Sequence, residues 1–213
     1  MQKEKKTKNR DILTPEEARK TLGSNLNFAA AEAYKLLRTN LDFSLPGEKK
    51  CKVIGVTSAL RGEGKSTTAV NIAYTMAQSG GKVLLVEADL RLPTLAKRVS
   101  AKVRPGLSNL LVGQCSGNDA LQHSGLIQNL WVMTAGDIPP NPAELLGSDN
   151  MAATINALAD VFDVMIPPLS APCICLWRKP AYTPSAFRSP VLSQPLPEPC
   201  ITPTSPNCSR RMW

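Results

Sequence analysis

The segment SALRGEGKSTTAVNIA, residues 58–73, constrains the fold of this chain more strongly than any other part of it. Two glycines, Gly62 and Gly64, lie between an apolar stretch and a helical pattern that begins with Lys65 and Ser66. Glycines allow successive backbone N–H groups to turn toward an anion, and the N-terminus of a helix adds partial positive charge. In such loops the lysine reaches the outer phosphates of a nucleotide and the serine hydroxyl binds Mg²⁺. The segment therefore predicts a strand, a phosphate-binding loop and a helix, with ATP and Mg²⁺ as ligands.

The loop departs from the strict phosphate-loop pattern at one position. Six residues before Lys65 the pattern asks for glycine, and this chain has Ala59 there. The strand before the loop and the helix after it are both indicated by the sequence, as the motif requires. We therefore predict that nucleotide is bound by seven consecutive residues: Arg61, Gly62, Glu63, Gly64, Lys65, Ser66 and Thr67.

Strands and helices alternate along most of the chain, after two predicted N-terminal helices, one beginning at Thr14 and one over residues 29–43. Buried strands are predicted at 51–57, 83–86, 130–134 and 162–166, and helices at 66–78 and after Pro142. One apolar stripe of the 66–78 helix is expected to pack on the sheet: Ala69, Ile72, Ala73, Met76 and Ala77. This order predicts an α/β fold, a doubly wound and mainly parallel P-loop sheet with helices on its faces.

Two carboxylates follow the second predicted strand, in the segment VLLVEADLRLP. Glu87 and Asp89 leave the strand at the end where a doubly wound sheet binds its ligand. A carboxylate there can hold Mg²⁺ through water or accept a proton from an attacking hydroxyl. The alternative interpretation is that both are ordinary surface residues at the end of a strand.

Together these features resemble the bacterial tyrosine kinases of capsule and exopolysaccharide synthesis, a family with a deviant P-loop. The family's loop reads PGEGKST, where this chain has Arg61 in place of the proline. The family's second Walker A element, Asp-x-Asp-x-Arg, is similar to residues 87–91. The segment AGDIPPNPAELLGS, residues 135–148, is similar to a family signature whose role the sequence does not explain. EAYKLLRTN, residues 32–40, resembles the Glu-x-x-Arg-x-x-Arg element through which family members assemble into rings.

The resemblance implies both an activity and the roles of individual residues. Family members transfer the γ-phosphoryl group of ATP to tyrosines, in trans between neighbours in the ring. By position, Lys65 and Ser66 would hold phosphate and Mg²⁺, and Asp89 would be the base or a metal contact. Glu87 stands where the family has its other aspartate, and Arg91 completes the element.

The resemblance also implies partners and a location. It predicts a homo-oligomer formed through Glu32, Lys35 and Arg38, with Lys35 in place of the first arginine of the family element. It further predicts activation by a transmembrane adaptor of the polysaccharide co-polymerase type. The chain is therefore expected in the cytoplasm, peripheral to the inner face of the membrane, and we predict no nucleic-acid partner.

The fourth predicted strand ends differently from the family pattern. Family members close this strand with Asp-Thr-Pro-Pro, in which the aspartate is the Walker B residue. Here strand 162–166 runs directly into Pro167-Pro168, and Asp163 comes too early in the strand to replace the aspartate. A chain without that carboxylate is expected to be a poor tyrosine kinase or an inactive one.

The composition changes at Pro167, where this strand ends. We predict three parts along the chain. Residues 1–46 form a basic tail and a helical oligomerisation segment, and residues 47–166 an incomplete nucleotide-binding domain. Residues 167–213 hold 11 of the 18 prolines, no glycine, and Tyr182 as their one tyrosine instead of the family's tyrosine cluster. We predict this last part to be disordered or polyproline-like, and to result from a shifted reading frame. The alternative is a natural proline-rich tail that binds a partner domain.

Two other functions remain open on the sequence alone. The first is a partition- or division-type ATPase, which uses ATP to dimerise on a surface. The loop of those proteins carries a signature lysine, and this chain has Leu60 at that position, which disfavours the alternative. The second is a nucleotide-binding oligomerisation module without kinase activity, which the missing Walker B aspartate favours. The net charge of +8 does not favour nucleic-acid binding, because the excess lies at the two ends of the chain.

Overall fold

The structure, a computed structural model, describes residues 22–45, 51–58, 60 and 62–168 of the chain. The helix predicted at Thr14 and the proline-rich part beyond residue 168 lie outside the described residues. After a 3-10 turn at Gly23–Asn25, the first elements are α1 (Phe28–Ser44), β1 (Lys52–Val53), α2 (Lys65–Gln78) and β2 (Val83–Val86). They are followed by α3 (Leu95–Val99), α4 (Leu107–Leu111), α5 (Gly117–Ala120), β3 (Leu121–His123) and β4 (Leu130–Met133). The last elements are α6 (Pro142–Leu146), α7 (Asp149–Ala159) and β5 (Val164–Ile166).

The five strands form one sheet in the order β1-β5-β2-β4-β3. The pairs β1–β5, β5–β2 and β2–β4 are parallel, and β3 is antiparallel to β4. The predicted α/β fold with a mainly parallel sheet is therefore confirmed. The short helices α3, α4 and α5 and strand β3 were not predicted, because segments this short that lack a continuous apolar run show no recognisable pattern.

The central strand β2 shows how the core is divided. All four of its residues are buried, as expected for a parallel strand that is covered on both faces. Val83 and Leu85 belong to the core on the α2 side, whereas Leu84 and Val86 belong to the core on the opposite face. The predicted α2 stripe lies in the first of these cores, fully buried: Ala69, Ile72, Ala73, Met76 and Ala77.

Strand β1 corrects one prediction. The segment 51–57 was predicted as a buried strand, but β1 is two residues long and Val53 is 43% exposed. Among the described strands β1 pairs with β5 alone, so that it lies at the edge of the sheet. An isolated bridge between Val56 and Pro168 continues the pairing. An apolar run cannot tell an edge strand from a central one, because burial of its second side depends on a neighbour distant in sequence.

Helix α1 covers the predicted amphipathic stretch. Tyr34 and Leu41 pack against the core on the α2 side. Nη1 of Arg38 donates a hydrogen bond of 3.0 Å to the carbonyl oxygen of Thr75, near the end of α2. No residue of α1 is fully buried, so that the helix lies on the surface of the domain. Among the described residues no helix has the length and apolar character needed to span a bilayer.

Candidate nucleotide-binding site

The loop between β1 and α2 has an open, left-handed backbone at its two glycines. Gly62 and Gly64 both have φ of +86°, a conformation that glycine adopts without a steric penalty. A Cβ atom built on either glycine would meet no heavy atom within 4 Å. The loop therefore leaves free space beside its backbone, as a phosphate cradle requires.

Polar contacts within the loop hold its shape. The backbone N–H of Leu60 donates to Oε2 of Glu63 at 3.0 Å, and the Ser58 hydroxyl donates to the Leu60 carbonyl at 2.9 Å. The Glu63 carboxylate thus accepts a hydrogen bond from within the loop and stabilises the turn that precedes α2. Arg61, also predicted to bind nucleotide, lies outside the described residues.

Helix α2 presents its N-terminus to this loop. Gly64 is the N-cap and supplies no side-chain cap, so that first-turn N–H groups stay available to an anion. Lys65, Ser66 and Thr67 follow in the first turn and are all partly exposed. Because α2 has 14 residues, its dipole places partial positive charge beside the loop. The structure therefore brings together the predicted phosphate-binding residues that it describes.

Glu87, predicted as a metal or catalytic residue, is buried and organises the loop after β2. Its Oε2 accepts hydrogen bonds from the N–H groups of Thr94 (3.0 Å) and Leu95 (2.8 Å). Its Oε1 accepts from the N–H of Asp89 at 3.3 Å. Burial raises the pKa of Glu87 to about 7, and the three N–H donors oppose that rise. A cation bound at this point would stabilise the ionised form.

Two residues that sequence reasoning missed join this loop to the phosphate loop. The Thr94 hydroxyl bonds the Ser66 hydroxyl at 3.3 Å, and Nη1 of Arg98 donates to the Thr67 hydroxyl at 2.9 Å. These pairs are 28 and 31 residues apart in sequence, and no motif signalled them. Since the N–H of Thr94 also bonds Glu87, one residue links the second-strand carboxylate to the serine predicted to bind Mg²⁺.

The remaining predicted residues lie on the solvent side of the same loop. Asp89 is partly exposed and accepts a hydrogen bond from the N–H of Leu92 at 3.2 Å. Arg91 is exposed. Asp89 lies three residues after the end of β2, and its own N–H donates to Glu87, so that both carboxylates belong to one short turn.

The signature segment 135–148 makes a tightly packed turn. Gly136, with φ of +78°, lies against Gly106, and both are buried. Oδ1 of Asn109 accepts from the N–H groups of Gly106 (3.2 Å) and Asp137 (3.3 Å), and its Nδ2 donates to the Asp137 carboxylate at 2.9 Å. The first part of the signature therefore locks the loop after β4 onto α4.

The rest of the signature starts two helices. Asn141 is the N-cap of α6, Pro142 is its first residue, and the Asn141 amide donates to Glu144 at 2.7 Å. The Ser148 hydroxyl caps α7 by accepting from the N–H of Met151 at 3.3 Å. Proline at the first helical position and serine at an N-cap are both favourable there. The structure thus assigns this segment an architectural role that the sequence did not reveal.

The carboxyl end of β5 carries prolines where the family has its Walker B aspartate. Pro167 and Pro168 are buried, and the Pro167 carbonyl accepts from the N–H of Val56 at 3.1 Å. Asp163 lies at the amino end of β5, where Oδ2 accepts from the N–H of Lys82 at 2.8 Å. The phosphate loop lies at the carboxyl ends of the parallel strands, whereas Asp163 lies at their amino ends. Asp163 therefore stabilises a turn remote from the phosphate loop.

The oxygen donors at the phosphate loop fit Mg²⁺ as part of a nucleotide complex. They are the Ser66 hydroxyl and the partly exposed Asp89 carboxylate, and Mg²⁺ prefers oxygen ligands. Glu87, predicted as a third metal ligand, is instead buried, and both of its carboxylate oxygens accept backbone N–H groups. Within the described residues, no group of three or more His, Cys, Asp or Glu side chains could hold a metal by itself. Protein sites for Mg²⁺ commonly use one or two carboxylates together with substrate phosphates, which matches this arrangement.

The open glycine loop, the helix N-terminus behind it and the parallel sheet define a P-loop nucleotide-binding domain. A family model described as "AAA domain" matches residues 51–166. Tyrosine-protein kinase YwqD of Bacillus subtilis (strain 168) is 42% identical over 144 residues, which cover 66% of this chain and 60% of that protein. The putative tyrosine-protein kinase CapB of Staphylococcus aureus is 35% identical over 143 residues, covering 66% of this chain and 62% of that protein.

Among solved structures, the kinase domain of the Escherichia coli tyrosine kinase ETK is similar, with a TM-score of 0.64 and 31% sequence identity. The match covers 76% of this chain and 61% of that one. The chain belongs to the bacterial tyrosine kinase family of AAA-domain proteins. It spans about 60% of the length of the curated relatives it matches.

Proposed function

We propose that this chain binds ATP with Mg²⁺ and is a member of the autophosphorylating protein-tyrosine kinases that regulate capsule and exopolysaccharide synthesis. The observation that carries the proposal is the open glycine loop at the N-terminus of α2, linked through Thr94 to Glu87. Relatives named tyrosine-protein kinases support the phosphoryl-transfer part of the proposal.

Each predicted residue has a definite role in this proposal. Backbone N–H groups of the loop and of the first turn of α2 hold phosphate oxygens, and Lys65 binds the outer phosphates. Ser66 and Asp89 are the groups that would hold Mg²⁺, which neutralises charge on the transferred phosphoryl group when bound. Glu87 would act indirectly, by holding the turn that carries Asp89 and Thr94. Asp89, which is partly exposed, would take the proton of an attacking hydroxyl, and exposed Arg91 would add positive charge beside it.

We expect the chain to bind nucleotide without appreciable autophosphorylation, because β5 ends in Pro167 and Pro168 instead of a carboxylate. Phosphoryl transfer depends on positioning and on charge neutralisation, and displacements of about 1 Å can cost about 100-fold in rate. The measurement pairs titration of ATP, with and without Mg²⁺, with detection of phosphotyrosine on the same purified protein. Strong Mg²⁺-dependent phosphotyrosine that Lys65→Ala abolishes would show that the carboxylate is dispensable.

A second candidate function, a nucleotide-binding oligomerisation module without kinase activity, is favoured by the same prolines. The two candidates differ in one readout. A weak kinase still forms phosphotyrosine on an added tyrosine-rich peptide over long incubation, and a binding module forms none. Both bind ATP, so that nucleotide affinity alone does not separate them.

Assembly is proposed to use the outer side of α1. Glu32 and Lys35 are exposed, and Nζ of Lys35 pairs with Oε1 of Glu32 at 2.7 Å. Arg38, the third residue predicted to form the oligomer interface, instead donates a hydrogen bond to the Thr75 carbonyl of its own chain. We therefore propose that Glu32 and Lys35 face a second copy, while Arg38 anchors α1 to α2. The same proposal places the assembly at the cytoplasmic face of the membrane, held by a transmembrane polysaccharide co-polymerase-type adaptor.

Lys35→Glu is expected to shift the oligomer toward the monomer, because it places a second negative charge three residues from Glu32. Size-exclusion chromatography with light scattering over a concentration series measures the shift. Lys82→Glu is the matched control, since it makes the same charge change at an exposed residue ahead of β2. Identical distributions for the parent and for Lys35→Glu would exclude this side of α1 as the interface.

A further inference from the structure

The first turn of α2 is contacted by the two ends of the short helix α3. Thr94, the N-cap of α3, bonds Ser66, and Arg98, four residues later, bonds Thr67. Residues four apart lie on the same side of a helix, so that one side of α3 covers two consecutive residues of the phosphate loop's helix. Glu87 fixes α3 in this position, because it accepts the N–H groups of Thr94 and Leu95 at the beginning of the helix.

The contact between Arg98 and Thr67 makes the Thr67 hydroxyl a hydrogen-bond acceptor toward Arg98. A guanidinium group has only donors, so that the Thr67 hydroxyl accepts in the 2.9 Å bond with Nη1 of Arg98. A hydroxyl has one proton, which is therefore left to donate to a different group. Thr67 stands in the first turn of α2, where backbone N–H groups and the helix dipole already favour an anion.

We propose that Arg98 is a positioning residue for nucleotide, which holds the Thr67 hydroxyl as a donor toward a phosphate oxygen of the bound nucleotide. The inference rests on the proposed nucleotide binding and adds to it a residue outside the phosphate loop and the second-strand element. Arg98 also brings a positive charge to the side of the loop where α3 packs. Its side chain is partly buried, and the hydrogen bond to the Thr67 hydroxyl is the contact through which it would act on the nucleotide.

The test is the affinity of the full chain for ADP with Mg²⁺, measured by isothermal titration calorimetry. We expect Arg98→Ala to weaken binding about tenfold, as removal of one charge-assisted hydrogen bond does. Arg98→Lys retains the charge and a donor and is expected to lose less. Lys97→Ala removes the neighbouring exposed positive charge of the same short helix, and binding is expected to stay unchanged.

A double-mutant cycle with Thr67→Val separates positioning from a general structural or electrostatic effect. If Arg98 acts through the hydroxyl, Arg98→Ala costs much less affinity in the Thr67→Val background than in the parent. Equal losses in both backgrounds, or unchanged affinity in Arg98→Ala, would overturn the inference. Should Arg98→Ala fail to fold, as judged by circular dichroism, the same cycle is run with Arg98→Lys and Thr67→Val.

Lys65→Ala in the same assay separates this inference from the proposed function. If the parent binds ADP and Lys65→Ala binds it much more weakly, nucleotide binding at the phosphate loop stands, and the Arg98 result decides the inference alone. If the folded parent does not bind ADP, the proposed function fails and the inference fails with it.

Discussion

Lys65→Ala is expected to weaken ATP and ADP binding by on the order of 100-fold, the largest effect of any single side chain in the loop. Lys65 is the first residue of α2, directly after the glycine cradle. In loops of this kind the lysine side chain reaches the outer phosphates of the nucleotide. Backbone N–H groups and the helix dipole remain in the variant, so that residual binding is expected. Titration of a fluorescent ADP analogue measures the change.

Lys82→Ala is the matched control for this experiment. Lys82 is an exposed lysine just before β2, at the amino end of the sheet, so that the same charge is removed far from the loop. Unchanged affinity is expected for the control. Equal affinity of Lys65→Ala and the parent, both folded, would contradict the assignment of the phosphate loop.

Gly106→Ala is expected to lower the free energy of unfolding by about 3 kcal/mol, at the upper end for overpacking. A Cβ on Gly106 would lie 2.3 Å from the backbone nitrogen of Gly136 and 2.5 Å from the carbonyl oxygen of Thr134. Both obstacles are backbone atoms of the turn after β4, so that the loop must shift as a whole. The φ of Gly106 is −147°, which alanine adopts freely, and the effect is therefore steric.

Gly113→Ala provides the complementary control for urea denaturation. Gly113 has φ of +76°, but a Cβ there would meet nothing within 4 Å. Its expected cost is about 1 kcal/mol, the conformational strain alone. If the two variants lose equal stability, the turn formed by Gly106 and Gly136 is not tightly packed and the proposed role of the signature is wrong.

The elements that the sequence predicted well are those with a clear apolar pattern. The stripe of α2 was recognised because it repeats over 14 residues, and β2 was recognised because its four residues form a continuous apolar run. The short helix α3 and strand β3 were missed, since segments this short that lack a continuous apolar run show no recognisable pattern. The phosphate loop was recognised from its own residues, because its motif is defined by residue type and spacing.

By itself, the sequence determined the α/β class, the phosphate loop from Gly62 to Ser66 and the absence of a carboxylate directly after strand 162–166. These depend on local pattern and composition. Tertiary structure alone decided that β1 lies at the edge of the described sheet and that Glu87 is buried beneath the turn it holds. It also decided that Arg98 reaches Thr67, because contacts between residues about 30 positions apart form only when helices pack against a common sheet.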